Sequence, residues 1–223
     1  MRITNREFDF VIEADENTSV SIVCENPKIF YEMIEDSIKL IKSNESNWVI
    51  SEKDGSRIDS KQIDVIVSPF CFDINSKRLL GNVQKEIETC IYENFIEEID
   101  YINNAFIRIL EDISLRLSYE IDYNIECDVK DLIKIYDLKL SYESSSLLGK
   151  LSIYIKLLAM SLNVKLLFLV DIKRYLTAHE ILILYKEARY WKIQLVIMES
   201  RFIDKLENEK VIIIDMDRCI IEL

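Results

Sequence analysis

Residues 165–170 read KLLFLV, residues 193–198 read IQLVIM and residues 211–214 read VIII. Each stretch is short and apolar almost throughout, which is typical of a strand buried on both faces of a sheet. Between the first two stretches, residues 177–191 carry apolar side chains at helical spacing. Strands that alternate with a helix predict an α/β fold with a mixed, partly parallel sheet.

The N-terminal part of the chain adds strands with a different pattern. Apolar and polar residues alternate over residues 8–12 and 20–24, which is the period of half-buried strands. Asn26 followed by Pro27 indicates the start of a helix, because Asn caps free N–H groups and Pro fits the first helical position. Two further strands are predicted over residues 48–51 and 63–67. We expect strands from both ends of the chain to share one sheet.

A long helical pattern lies between these two parts. Apolar residues recur every three or four positions from Leu79 to Leu117, which predicts one long amphipathic helix or a broken pair of helices. A continuous helix of about 40 residues would extend roughly 60 Å and project from a domain of this size. Gly81 and the Asn103–Asn104 pair are the expected places for a break, since both are poor helix formers.

These patterns predict two domains, one of them discontinuous. Residues 1–75 and 150–223 are expected to form an α/β head, and residues 76–149 an inserted α-helical leg. Shorter helices are predicted at residues 128–136 and 144–162.

The net charge of the 223-residue chain is −12 at pH 7, which argues against nucleic-acid binding, because cations must replace the counterions of the phosphates. The charge is uneven, however. Residues 84–128 contain three basic and twelve acidic side chains, whereas residues 129–170 contain six lysines and three acidic side chains. This asymmetry predicts one acidic and one basic surface.

The sequence carries no recognisable catalytic signature. A phosphate loop needs glycines spaced as G-x-x-x-x-G-K-[ST], and none of the three glycines has this spacing. Asp171 follows a buried strand as a magnesium-binding aspartate does in P-loop ATPases, but without that loop we interpret it as a loop residue. His179 is the sole histidine, which excludes two-histidine sites. We expect no catalytic site, although a metal nuclease that uses carboxylates alone stays open.

A cluster of acidic residues is a candidate metal site. Its carboxylates belong to Glu120, Asp122, Glu126 and Asp128. In an extended conformation all four would share one face, where Ca²⁺, which accepts about six to eight oxygen ligands, would relieve their mutual repulsion. A solvated strand edge whose charges deter aggregation explains the pattern equally well.

Lysines that follow this cluster are candidate phosphate contacts. Lys130, Lys134, Lys139 and Lys150 could track a DNA backbone without reading bases. A solvated helix surface is the alternative, and composition alone favours it, because the surrounding chain is acidic.

Four segments near the end of the chain resemble those of a known family: LLFLVDIKRY (166–175), LTAHEILILY (176–185), IQLVIMES (193–200) and KVIIIDMDRCI (210–220). Their order and spacing are similar to those of the ring-forming adaptation accessory proteins of type II-A CRISPR systems. The long helix after the N-terminal strands and the DLIK sequence at residues 131–134 extend the resemblance over nearly the whole chain. The resemblance implies a head like a P-loop ATPase core without the phosphate loop, and an α-helical leg.

The resemblance also implies a function. Members of this family are expected to form a homotetrameric ring that binds double-stranded DNA ends without reading sequence, and to assist spacer acquisition in antiviral defence alongside the CRISPR integrase and effector nuclease. It implies Ca²⁺ as the cofactor, held by Glu120, Asp122, Glu126 and Asp128. It implies DNA contacts through Lys130, Lys134, Lys139 and Lys150.

Two functions from other classes stay open. The first is a carboxylate-metal nuclease or a degenerate nucleotide hydrolase, which would turn over DNA or ATP with magnesium. The second is a scaffold for protein partners that does not bind DNA.

The expected location is the cytoplasm. The N-terminal residues lack the apolar core of a signal peptide, and residues 166–170 form the longest apolar run, which is far too short to span a bilayer. The five scattered cysteines fit a reduced compartment as buried apolar side chains.

Overall fold

The computed structural model describes residues 1–15, 17–43, 45–126, 128–141 and 146–223. The strands of this part of the chain are β1 (Arg2–Asn5), β2 (Phe8–Glu13), β3 (Ser19–Cys24), β4 (Trp48–Ser51), β5 (Ile63–Ile66), β6 (Leu166–Val170), β7 (Gln194–Glu199), β8 (Glu209–Ile214) and β9 (Ile220–Glu222). Its α-helices are α1 (Pro27–Lys42), α2 (Lys77–Asn94), α3 (Ile96–Ser114), α4 (Val129–Ile135), α5 (Leu147–Leu162) and α6 (Ala178–Tyr190).

The chain forms two compact units. Residues 1–74 together with residues 142–223 form the first, which we call the sheet unit, and residues 75–141 form the second, which we call the helical unit. The strands belong to the sheet unit with α1, α5 and α6, and the helical unit contains α2, α3 and α4. Among the helices of the described residues, none combines the length and the apolar character needed to cross a membrane.

A six-stranded sheet with the order β5-β6-β7-β3-β8-β9 is the centre of the sheet unit. The first five strands run parallel, and β9 pairs antiparallel with β8. Because β3 lies between β7 and β8, Ile22 pairs with Met198 on one side and Ile212 on the other. The predicted α/β fold, with a largely parallel sheet that joins strands from both ends of the chain, is confirmed.

The apolar run of β6 is buried on both faces of this sheet. Leu166, Phe168 and Val170 belong to the hydrophobic core that includes residues of α1 and of the N-terminal strands. Leu167 and Leu169 point to the opposite face, because successive side chains of a strand alternate, and they are fully buried as well. A continuous apolar run is therefore required here, as the sequence predicts.

A smaller antiparallel sheet has the order β2-β1-β4. It packs on the central sheet through Trp48, whose ring centroid lies 5.3 Å from that of Phe168. Of the strands predicted in the N-terminal part, those at residues 8–12 and 48–51 thus join this second sheet, whereas β3 and β5 join the central one. β1 and β9 are additional strands that the sequence did not predict, since both are too short to show a clear period.

Local capping explains where two helices of the sheet unit begin. The Asn26 side chain accepts hydrogen bonds from the N–H groups of Lys28 and Ile29, at 3.1 and 3.3 Å, and Pro27 opens α1 as predicted. Thr177 and Glu180 form a capping box at α6, in which each side chain accepts from the backbone N–H of the other. Such caps satisfy N–H groups that have no partner within the helix.

The long helical pattern is divided at Phe95, which has φ −135° and ψ 21° and separates α2 from α3. The predicted break at Gly81 or at Asn103–Asn104 is wrong, because these residues lie inside α2 and α3. An interior glycine costs a helix only about 1 kcal/mol. Asn103 donates its side-chain amide to the Ile125 carbonyl at 2.7 Å, so it does not compete for the backbone of its own helix.

The cysteines differ from the prediction. Of the four in the described residues, Cys24 is buried, whereas Cys71, Cys90 and Cys219 are exposed, and Cys127 lies outside the described residues. Burial raises the pKa of the Cys24 thiol to about 11, which keeps it protonated and unreactive. The exposed thiols lie on loops and helix surfaces, where the apolar pattern of the core does not extend.

Candidate nucleic-acid interface

Asp171 lies at the carboxyl edge of the parallel sheet, directly after β6, with a φ of 47° in the left-handed region. Its Oδ1 accepts hydrogen bonds from the N–H and the Oγ of Ser200, each at 2.9 Å. The carboxylate therefore ties the loop after β6 to the loop after β7. This contact agrees with the interpretation of Asp171 as a loop residue.

A buried ion pair lies next to the same loops. The Nζ atom of Lys173 is 2.6 Å from Oε1 of Glu209, and the two side chains are 8% and 0% exposed. The Tyr185 hydroxyl donates to the same Oε1 at 2.6 Å, and the Leu206 N–H donates to Oε2 at 2.8 Å. Burial and the adjacent carboxylate raise the pKa of Tyr185 far above its usual range, so this hydroxyl stays a donor.

Glu199, the last residue of β7, is a second buried carboxyl in this region. Burial raises the pKa of Glu199 to about 7, and the nearby Asp171 adds to the rise. The backbone N–H of Lys173, which donates to Oε1 at 2.9 Å, acts in the opposite direction. The charge of this region therefore changes close to neutral pH.

The predicted calcium ligands follow α3. Glu120, Asp122 and Glu126 are exposed and belong to no strand, so the predicted extended edge does not form. Asp128 caps α4, because its Oδ1 accepts from the Lys130 N–H at 2.8 Å. Within the ranges that the structure describes, no three acidic, histidine or cysteine side chains are close enough to hold a metal ion. The four carboxylates do not form a calcium site in this conformation, and calcium binding stays a prediction.

The lysines predicted to contact DNA are divided between the units, with Lys130, Lys134 and Lys139 in the helical unit and Lys150 on α5 in the sheet unit. The Nζ of Lys134 is 2.7 Å from Oδ1 of Asp131, and that of Lys139 is 2.6 Å from Oδ2 of Asp137. Exposed pairs of this kind are weak in water, so a phosphate can replace either carboxylate. Lys130 is exposed and Lys150 is half-buried.

A shallow groove between α5 and α6 combines cations with aromatic rings. We call it the α5–α6 groove, and its volume is about 400 Å³. Its lining consists of Ser152, Ile153, Lys156, Lys186, Glu187, Tyr190 and Trp191. Lys156 Nζ lies 5.9 Å from the centroid of the Trp191 ring, and the Tyr190 ring meets that of Trp191 edge to face with centroids 5.0 Å apart. Ammonium groups beside exposed rings suit the phosphates and sugars of a nucleic acid.

Most of this groove is not evident from the sequence. Lys156 is one of the six lysines of residues 129–170, whereas Lys186, Tyr190 and Trp191 belong to the helical pattern of residues 177–191 and carry no further signature. Lys186 and Tyr190 are four residues apart on α6, which places them on one face. That spacing is the part of the groove that the sequence shows. The packing of α5 against α6, which adds Lys156, depends on the tertiary structure.

A family model described as CRISPR-associated protein (Cas_Csn2) matches residues 41–218, which is most of the chain. The chain belongs to the Cas_Csn2 family. The predicted resemblance to a protein family of type II-A CRISPR systems is thereby confirmed. Among curated proteins no match is found.

The fold of this Cas_Csn2 family member is similar to a solved structure, that of Stu0660 of Streptococcus thermophilus. The TM-score is 0.59 at 14% sequence identity, and the similarity covers 100% of this chain and 76% of the other. At this identity the similarity shows a shared fold.

An exposed apolar stripe runs along α3 of the Cas_Csn2 chain. It begins at the junction residue, and its spacings alternate between four and three residues. Its members are the half-buried Ile99 and the exposed Phe95, Ile102, Phe106, Ile109 and Ile113. We call it the α3 seam. Phe106 is 59% exposed, and Ile102 and Ile109 are each 52% exposed. A strict repeat of this kind is typical of the seam of a coiled coil, in which a second helix covers the apolar side chains.

A second cavity, of about 690 Å³, lies at the amino ends of the parallel strands. Lys165 and Arg189 line it, but neither cation is available to an anion. Lys165 Nζ is 2.7 Å from Glu52 Oε1, and Arg189 donates to the carbonyl groups of Tyr185 and Asn17. The lining also includes Lys53, Lys192, Asp15 and Asp54, so the charge of this cavity is mixed.

Proposed function

We propose that this protein binds ends of double-stranded DNA without reading their sequence and assists spacer acquisition in a type II-A CRISPR system. The observation that carries the proposal is membership of the Cas_Csn2 family over residues 41–218. The protein acts as a binding protein in the cytoplasm, alongside the integrase and effector nuclease of the system. It performs no bond chemistry.

The α5–α6 groove supports the contact with DNA. Lys156 and Lys186 are cations of the sheet unit that make no ion pair among the described residues, and both line the groove with the exposed Tyr190 and the half-buried Trp191. An ammonium group attracts phosphates by its charge, and phosphate contacts carry no sequence information, which suits binding without sequence preference. Lys130, Lys134, Lys139 and Lys150 add further cations.

The α3 seam supports assembly into a ring. An isolated chain would leave this apolar stripe in water, whereas pairing with the same helix of another copy would bury it. A closed homotetramer would also reconcile the net charge of −12 with DNA binding, because it can place its cations inward and most carboxylates outward. The helical unit would then act as the leg.

A comparison of linear and covalently closed circular duplex of the same sequence tests this proposal. A threaded ring retains the linear form, releases it as salt rises, and does not retain the circle in a gel-shift or filter assay. Equal retention of both forms would exclude threading, and retention of neither would favour a protein scaffold. Cleavage of either form with magnesium would favour the carboxylate-metal nuclease.

Calcium is the second part of the proposal. Since Glu120, Asp122, Glu126 and Asp128 are not gathered in the described conformation, Ca²⁺ would have to draw this segment together. Isothermal titration of the protein with Ca²⁺ should show binding that is lost in the variant Asp122→Asn with Glu126→Gln. A matched variant with Glu97→Gln and Glu98→Gln on α3 should keep it. Absence of heat with the wild type would exclude a calcium site.

A further inference from the structure

Three neighbouring loops at the carboxyl edge of the parallel sheet each expose an aromatic side chain. β5, β6 and β7 are adjacent in the sheet, and the loops that follow them carry Phe70, Tyr175 and Phe202. These side chains are 76%, 43% and 41% exposed. The rings of Phe70 and Tyr175 meet edge to face with centroids 5.2 Å apart. Pairing at the surface leaves ring faces available to a ligand.

Cations accompany two of these rings. Arg174 directly precedes Tyr175, and Arg201 directly precedes Phe202. Both arginines are exposed, and in the described ranges of the chain neither makes an ion pair. The loop after β7 also carries Lys205, along with the acidic Asp204 and Glu207. The three loops together carry equal numbers of basic and acidic side chains, and the two arginines are the exposed cations that stand next to the rings in sequence.

Hydrogen bonds, most of them partly buried, hold the two arginine-bearing loops in place. Asp171 joins them through Ser200, as described above, and the Lys173 N–H donates to Glu199 at 2.9 Å. The Lys173 ammonium also donates to the carbonyl of Asp204 at 3.2 Å. Because these hydrogen bonds already hold the loops in place, the loops lose little conformational entropy when their exposed side chains bind a ligand.

We propose that this surface binds the unpaired nucleotides of a DNA end. We call it the arginine–aromatic patch, and it consists of Phe70, Arg174, Tyr175, Arg201 and Phe202. The inference rests on the proposed function. It adds recognition of the unpaired nucleotides, which a ring that only encloses the duplex would not recognise. Aromatic rings stack on every base because each base has a flat face, and guanidinium groups pair with phosphates. Within a duplex the base faces are covered, so the patch adds affinity only where a strand is unpaired.

The test compares a blunt duplex, the same duplex with a single-stranded thymidine overhang, and an oligothymidine, each labelled for fluorescence anisotropy. We expect the wild type to bind the overhang duplex about tenfold more tightly than the blunt duplex, which is the effect of one stacked base. Tyr175→Ala and Phe202→Ala should remove this preference while keeping the affinity for the blunt duplex. Thermal unfolding of each variant verifies that it is folded.

Matched substitutions elsewhere in the sheet unit serve as controls. Tyr31→Ala removes an aromatic ring that is 64% exposed on α1, and Arg6→Gln removes an exposed arginine. Neither should change the preference, whereas Arg174→Gln combined with Arg201→Gln should reduce it.

The outcomes separate the two proposals. Equal affinity for blunt and overhang duplexes, or a preference that survives both aromatic substitutions, would overturn the patch and leave DNA-end binding intact. Binding to oligothymidine alone would keep the patch and overturn the proposed function. If the aromatic substitutions change the mass of the assembly in light scattering and leave the preference unchanged, the patch is a contact between copies of the chain.

Discussion

Lys173 links two buried carboxyl groups through different atoms. Its backbone N–H donates to Glu199, and its ammonium contacts Glu209. Lys173→Met keeps the backbone hydrogen bond and most of the side-chain volume but leaves Glu209 charged and without its cation. We expect the free energy of unfolding to fall by about 3 kcal/mol, because an uncompensated buried charge is costly. Urea denaturation at neutral pH measures this change.

The control for this substitution is Lys39→Met. Lys39 pairs with Glu35 at 3.1 Å on the surface of α1, where water already solvates both charges. This variant should unfold at nearly the same urea concentration as the wild type. If Lys173→Met did the same, the ion pair would not stabilise the sheet unit.

Because of Glu199, the free energy of unfolding should fall as the pH rises towards neutral. Burial raises its pKa to about 7, so between about pH 4.3 and pH 7 the native state keeps a proton that the unfolded chain has released. Stability from this group is therefore lost as the pH rises through that window. Glu199→Gln removes the charge and keeps the acceptor oxygen. Its free energy of unfolding should exceed that of the wild type by up to about 3 kcal/mol above pH 7.

Urea denaturation at several pH values tests this prediction. The advantage of Glu199→Gln should shrink towards zero as the pH falls to about 4, where the wild-type carboxyl is protonated in both states. Glu207→Gln changes an exposed carboxylate and should not alter the pH profile. A pH-independent difference between Glu199→Gln and the wild type would contradict the derivation.

At the scale of helices and strands, elements with a local cause were predictable. The Asn26–Pro27 start of α1 and the apolar strands β6, β7 and β8 were predicted because caps and buried runs are written in consecutive residues. The junction at Phe95 could not be predicted, because phenylalanine is compatible with a helix and the apolar spacing continues across this residue. The spacing of apolar residues does not indicate a helix junction that is set by the surrounding structure.

Gly81 offers a direct test of the correction to the predicted break. Apart from its chain neighbours and the backbone of its own helix, a Cβ atom added at this position would meet no atom of the described residues within 4 Å. Since Gly81 has helical backbone within α2, Gly81→Ala should raise the free energy of unfolding by about 0.5–1 kcal/mol. Thermal or urea denaturation measures it. A loss of stability would mean that α2 bends at this residue.

The α3 seam has its own prediction. Phe106→Glu places a charge in the middle of the stripe, which would be desolvated if another copy covers it. We expect the assembly to dissociate into smaller species, with helical circular dichroism unchanged. Asn104→Glu introduces the same charge on another face of α3 and should leave the mass unchanged. Multi-angle light scattering distinguishes the outcomes, and an unchanged mass for Phe106→Glu would exclude the seam as a subunit contact.

At the scale of the whole molecule, DNA affinity should follow the number of lysines that replace counterions. Lys156→Gln combined with Lys186→Gln should weaken binding of linear duplex at low salt. It should also reduce the slope of the logarithm of affinity against the logarithm of salt by about 2 for each subunit whose groove contacts the duplex. The control pair is Lys28→Gln with Lys42→Gln on α1. Equal slopes for the wild type and the groove variant would place the DNA elsewhere.

The candidate interface was predictable only in outline. The family was identified from the order of strands and helices, and the uneven charge indicated a basic surface. The α5–α6 groove brings together Lys156 and Trp191, which are far apart in sequence, so only the packing of α5 against α6 reveals it. The arginine–aromatic patch likewise depends on the order β5-β6-β7, which joins an early strand to late ones.

The position of β3 has a consequence for biosynthesis. This strand emerges from the ribosome early, yet both of its neighbours in the sheet, β7 and β8, are translated near the end of the chain. During translation β3 therefore stays unpaired until β7 and β8 have been synthesised, which happens after synthesis of the helical unit. Slow or interrupted translation prolongs this interval, so yield in the cell should depend on chaperones that shield nascent strands.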